Sequence, residues 1–142
     1  MSFLTLGITA LSAYGFCYYQ NNSIEVTRFN ISSNVNDNIK ILQLSDLHSK
    51  EFGKGNKILL DKVFSEKPDI VVATGDLIDS NMKRIDNIVC FLATINKSIP
   101  VFYIPGNNEM RCKRINEILH KLKANNIEVL DDEIRTIKIK ST

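Results

Sequence analysis

Three short groups of potential metal ligands stand far apart in this chain. Asp46 and His48 lie in Ser45-Asp46-Leu47-His48, Asp76 and Asp79 in Gly75-Asp76-Leu77-Ile78-Asp79, and Asn107, Asn108 and Glu109 follow Gly106. Asp46 and Asp76 offer charged oxygens, His48 a nitrogen and Asn107 an amide oxygen. Oxygen mixed with imidazole suits manganese, iron or zinc better than a pure calcium site. The single residue between Asp46 and His48 lets two side chains from one strand end reach a common centre. A carboxylate such as Asp76 can bridge two cations, and metals paired about 3.5–4 Å apart are suited to displacement at phosphorus.

Each group has a plainer explanation when taken alone. Asp and Asn often follow strands because they cap helices and make turns. Asp79 reads as a helix cap or a group behind the ligands, and Glu51 and Glu109 as solvated. His120 reads as a surface histidine beside the apolar stripe of its helix, and Asp131-Asp132 as a turn. Position is what separates Asp46, His48, Asp76 and Asn107 from these, because each follows directly on a short apolar run.

Those runs are the elements that must place the ligands. Residues 39–44, 70–73, 101–104 and 127–130 are short and apolar, as buried strands are. Between them, residues 56–66, 81–96 and 111–124 carry apolar side chains at helical spacing. The middle segment is the clearest, with Ile85, Ile88, Val89, Leu92 and Ile95 on one face. Pro68 and Pro100 stop the first two helices. Alternating strands and helices imply βαβ units and an α/β fold with a mainly parallel sheet. Parallel strand ends gather on one edge, where ligands bind, so the three groups should converge. Gly75 and Gly106 would let the backbone turn sharply near them. Two weaker strand patterns flank this core: Ile24 to Ile31 as an edge strand, and Ile134 to Ile139 as an antiparallel one.

Bulk properties set limits. The 142 residues suffice for one modest domain. Eighteen basic against 16 acidic residues leave +2, too little for a nucleic-acid surface. Cys17, Cys90 and Cys112 are odd in number with no C-x-x-C, which disfavours a disulfide framework or structural zinc site; Cys90, beside Val89 and Phe91, reads as buried packing. Residues 1–20 form an apolar segment with no charged side chain before Glu25. Residues 2–19 are near the minimum length for a spanning helix, and Tyr14, Tyr18 and Tyr19 sit where rings favour the interface. The segment therefore reads as an uncleaved single-pass membrane anchor rather than a cleaved signal. Flanking charge is too sparse to orient it.

The order D-x-H, G-D-x-x-D, G-N-x-E, within QLSDLH, KPDIVVATGDLID and VFYIPGNNE, resembles the calcineurin-like metallophosphoesterase superfamily, in particular its bacterial membrane-anchored branch. The resemblance runs from about Ile24 to the last residue. It implies a phosphate mono- or diester substrate and two divalent metals, with Asp46 and His48 on the first, Asp76 bridging and Asn107 on the second. The family's third motif usually carries a histidine that helps the leaving group; Asn108 stands there, and an amide transfers no proton at neutral pH. The family's further histidines, including G-H-x-H, have no counterpart in residues 1–142. Residues 24–142 are therefore expected to form a truncated domain, a partial metallophosphoesterase sandwich that binds one metal weakly and loads a second poorly. Two other outcomes follow from the same pattern: an inactive truncated product, or half of a split enzyme whose missing histidines come from a second chain. A receiver-like phospho-acceptor domain fits less well, since it wants paired acidic residues where Asp46 stands with His48.

Overall fold

The structure is a computed structural model that describes residues 3–32, 38–79 and 84–139. The chain divides into two units, residues 1–34 and 35–142. In the first, helix α1 (Phe3–Asn22) forms where the apolar run predicts a helix, and its described side chains are exposed. The structure gives no support to the spanning reading of residues 2–19: among the described residues no helix is long and apolar enough to cross a membrane. The hydroxyls of Thr5, Thr9 and Ser12, three tyrosines and the final Gln20-Asn21-Asn22 lower the apolar character of α1, although the Thr9 hydroxyl is satisfied within the helix by donating to Thr5 O and Leu6 O. The edge strand expected over Ile24 to Ile31 is also absent, and Phe29 and Ile31 are exposed.

The second unit is the α/β domain. Strands β1 (Ile41–Leu44), β2 (Ile70–Ala73), β3 (Val101–Tyr103) and β4 (Glu128–Val129) form one sheet in the order β1-β2-β3-β4, parallel throughout. Helices α2 (Lys57–Glu66), α3 (Ile85–Asn96) and α5 (Ile115–Ala124) make the three crossovers, and a short helix, α4 (Asn107–Met110), begins at the third ligand group. Strand order that follows chain order, with right-handed crossovers, places the crossover helices on one face of the sheet, and α3 packs against α5. Lys121 of α5 also reaches Asp86 of α3 at 2.5 Å.

The register sorts the sheet's two faces. Leu44, Val71, Ala73, Val101 and Tyr103 share one face and are buried. The other face is uneven: Ile70 and Phe102 are covered, but Ile41 and Gln43 are exposed. The core between sheet and helices is completed by Leu59, Val63, Ile88, Phe91, Leu92, Ile95, Ile118 and Leu122. A core side chain of this size contributes about 1.5–3 kcal/mol by leaving water.

Three local expectations change, and a fourth lies partly outside the described residues. Helix α3 is described from Ile85, and the expected start at residues 81–83 lies outside the described residues. The last helix begins at Ile115 rather than Arg111, since residues 107–110 form a separate turn of helix. Residues 133–139 form no strand, and Ile134 is exposed; Arg135 pairs with Glu128 and Glu133 instead. Cys90 is exposed. It lies on the solvent side of α3 with Asp86 and Asn87, because helical neighbours are three and four residues away, not one.

Candidate metal centre

The three loops that follow β1, β2 and β3 meet at one sheet edge and are hydrogen-bonded to one another. The first copies the course of the second: Asp46 N donates to Gly75 O at 3.2 Å, His48 N to Asp76 O at 3.0 Å and Ser49 N to Leu77 O at 2.8 Å. These bonds all run from N–H groups of the first loop to carbonyls of the second, beyond the last paired strand residues. They hold Asp46 (φ 57°), His48 (φ 48°), Ser49 (φ 58°) and Asp76 (φ 51°) in the left-handed region. That conformation costs non-glycine residues on the order of 1 kcal/mol or more each, and persists where surroundings impose it.

The second and third loops touch through their glycines. Gly75, at φ 82°, has the turn its residue type permits, and a Cβ there would lie 2.4 Å from Gly106 Cα. Gly106 differs from the turn expected of it. Its φ of −92° suits any residue, but a Cβ would lie 2.4 Å from both N and Oδ1 of Asp76. Gly106 is needed for close approach, not for backbone freedom.

This zipped edge brings Asp46, His48 and Asp76 together. One ligand atom from each lies within 4.8 Å of the others, and His48 Nε2 is 3.8 Å from Asp46 Oδ1. Nitrogen and oxygen ligands bind such metals at about 2.0–2.2 Å, so two ligands of one ion stand at most about 4.4 Å apart. The three groups fit an ion of this class after a side-chain adjustment of a few tenths of an ångström. Ser45 Oγ donates to Asp46 Oδ2, leaving Oδ1 towards His48. Among the described residues no Lys or Arg forms an ion pair with Asp46 or Asp76, so two carboxylate charges converge without a compensating side chain, which favours a cation.

The third loop is placed less directly. Asn107 is the first residue of α4 and is exposed. Asn108 N donates to Asp76 Oδ1 at 3.0 Å, and its side-chain Nδ2 lies 3.3 Å from His48 Nδ1. Asn108 thus touches two of the three converging residues.

Several residues outside the triad deserve correction or comment. Glu109, read as solvated, is 1% exposed. Its Oε2 accepts from Asp76 N at 2.9 Å and Gly106 N at 3.1 Å, and its Oε1 from Ile78 N at 3.0 Å. The bond to Gly106 is half of a capping box for α4, a sequence signal present in Gly106-x-x-Glu109. Among the described residues Asp79 caps no helix, Arg84 being the residue before α3; the Asp79 N–H donates to Ser49 Oγ at 3.0 Å, behind the first loop. Glu51 is part-buried and accepts from Gly55 N and Arg84, while His120 is exposed as expected. Beneath the site, Tyr103 is fully buried, and its hydroxyl stands beside the Glu109 carboxylate. Burial, and then the neighbouring Glu109 carboxylate, push its hydroxyl well above the ordinary phenol range.

Comparison with known proteins agrees with this geometry. The sequence profile of the calcineurin-like phosphoesterases matches residues 39–139. An uncharacterized metallophosphoesterase of Aquifex aeolicus is 36% identical over 97 residues, covering 67% of this chain and 37% of that protein. One from Campylobacter jejuni is 37% identical over 100 residues, covering 68% of this chain and 26% of that protein. One from Bacillus subtilis is 29% identical over 111 residues, covering 72% and 39%. The chain thus spans little more than a third of the first of these relatives and about a quarter of the second.

Proposed function

Since the chain belongs to the calcineurin-like phosphoesterase family, we propose that its three linked loops form the metal-holding part of a phosphoesterase centre acting on phosphate mono- or diesters. The observation that carries this reading is the approach of Asp46, His48 and Asp76, from two separate loops, to within 4.8 Å. Asp46 and Asp76 supply negative charge to a first divalent cation, and neutral His48 supplies a nitrogen. Asn107, exposed beside them, offers an amide oxygen to a second. A divalent cation bound there would act as a Lewis acid towards a phosphoryl oxygen.

The chain's own residues limit the reaction. Asn108 can donate a hydrogen bond to a phosphoryl oxygen, but it holds no proton to give to the leaving group. Esters with good leaving groups, which need no such proton, are the favoured substrates. A first site with three donors and a second with two implies that the first cation binds more tightly.

The test is hydrolysis of an aryl phosphate with added Mn2+, with a chelator, and with the Asp76→Asn variant. Metal-dependent hydrolysis that Asp76→Asn abolishes is expected. Hydrolysis indifferent to chelator would overturn the reading, as would the absence of both turnover and Mn2+ binding.

A second reading has its own support. The chain matches 37% and 26% of its first two relatives, so further donors can come from polypeptide outside residues 1–142. This reading expects Mn2+ binding without turnover until that polypeptide is supplied.

A further inference from the structure

We propose that Glu109 is a positioning residue for the candidate metal centre, clamping the loop that bears Asp76 to the loop that bears Asn107 and Asn108. The proposal rests on the metal-holding reading of Asp46, His48 and Asp76. A carboxylate that merely capped α4 would need only the bond to Gly106 N, three residues before it. Two of the three bonds go elsewhere, to Asp76 N and Ile78 N, 33 and 31 residues away in sequence. Those two amides flank Leu77, which is itself fully buried. Glu109 therefore fixes the backbone on both sides of the Asp76 side chain.

The clamp is reinforced from the same short helix. Asn108 N holds Asp76 Oδ1 at 3.0 Å while Glu109 Oε2 holds Asp76 N at 2.9 Å. Main chain and side chain of one ligand are thus fixed by two consecutive residues. Glu109 is 1% exposed, and three amide donors are what a buried carboxylate requires to offset its lost hydration. Gly75 and Gly106 let the loops come close enough for one carboxylate to span them. Outer hydrogen-bond partners of metal ligands commonly change metal affinity by about 10–100-fold.

Two substitutions separate positioning from simple structural support. Glu109→Gln keeps the size but sets an amide NH2 against one N–H, and Glu109→Asp keeps the charge but is a methylene too short to reach both loops. Mn2+ affinity is measured calorimetrically on the full chain at a temperature where each variant is folded. Leu92→Ala, in the core and away from the loops, serves as a destabilised control. Both Glu109 variants are expected to bind Mn2+ at least tenfold more weakly than the parent chain. Leu92→Ala should lose stability yet bind as the parent does. If Glu109→Asp alone folds, its affinity decides the matter. Parent-like Mn2+ affinity in a folded Glu109 variant, with Asp76→Asn binding lost, would overturn the clamp and leave the metal reading intact. Equal weakening in Leu92→Ala would reduce Glu109 to a structural role. A parent chain that binds no Mn2+ would overturn both ideas.

Discussion

The side-chain amide nitrogen of Asn108 lies 3.3 Å from Nδ1 of His48, on the opposite side of the ring from Nε2, which faces Asp46 Oδ1 at 3.8 Å. An amide nitrogen donates to a bare Nδ1, whereas the same amide turned over accepts from Nδ1–H through its oxygen, so the contact serves either tautomer. A cation bound through Nε2 needs the proton on Nδ1. In the bound form the Asn108 amide is expected to present its oxygen to Nδ1–H, as outer partners of metal-ligating histidines do. Imidazole nitrogen NMR during titration with diamagnetic Zn2+ should find the proton on Nδ1 in the bound form. Asn108→Asp, which can only accept, should bind Zn2+ more tightly; unchanged or weaker binding would refute this account.

Removing one triad carboxylate should remove the cation. At a free concentration about 100-fold above the dissociation constant, a bound cation stabilises the fold by about 2.7 kcal/mol. For a domain of this size that is a rise in Tm on the order of 10 °C. Mn2+ should raise the melting temperature of the parent chain by an amount of this order. Asp46→Asn and Asp76→Asn should each lose most of that rise.

Gly106→Ala is a purely steric test. Its backbone angles suit alanine, but the new methyl would lie 2.4 Å from Asp76 N and Oδ1 and 2.9 Å from Glu109 Oε2. The loops must part to admit it. A loss of about 1–3 kcal/mol is expected in urea unfolding without metal, together with weaker Mn2+ binding. A variant that kept full stability and full affinity would show that the loops are not pressed together.

Tyr103 predicts a dependence on alkaline pH. Its folded pKa lies above the unfolded value of about 10, first because of burial and then because of the Glu109 carboxylate. The neutral form is favoured by folding, so this contribution is complete below pH 10 and is lost as the pH rises above it. Tyr103→Phe should remove that slope in a comparison of urea midpoints across this range.

The general fold was readable because two periodicities carry it. Ile85, Ile88, Val89, Leu92 and Ile95 recur at helical spacing and are all buried on α3. The runs at residues 41–44, 70–73 and 101–103 are short and mostly apolar, as strands between crossover helices are, although β1 leaves Ile41 and Gln43 exposed. Short-range patterns were less secure. Ile134 to Ile139 alternates as a strand does, yet a strand forms only when an edge accepts its hydrogen bonds, and residues 133–139 pair with none. The chain neighbours of Cys90, Val89 and Phe91, point to burial, but the turn of the helix sets its surroundings and faces it to solvent.

The sequence by itself determined which side chains could serve a cation, and that they follow strands, since ligand chemistry and strand periodicity are local properties. It also marked Gly75 and Gly106 as special. Only the tertiary structure decided how close Asp46, His48 and Asp76 come, and that Glu109 lies inside rather than in water. A carboxylate is hydrophilic wherever it stands in a sequence. It can be buried only if enough N–H groups converge on it, and the amides of Asp76, Ile78 and Gly106 do so because two distant loops fold against each other.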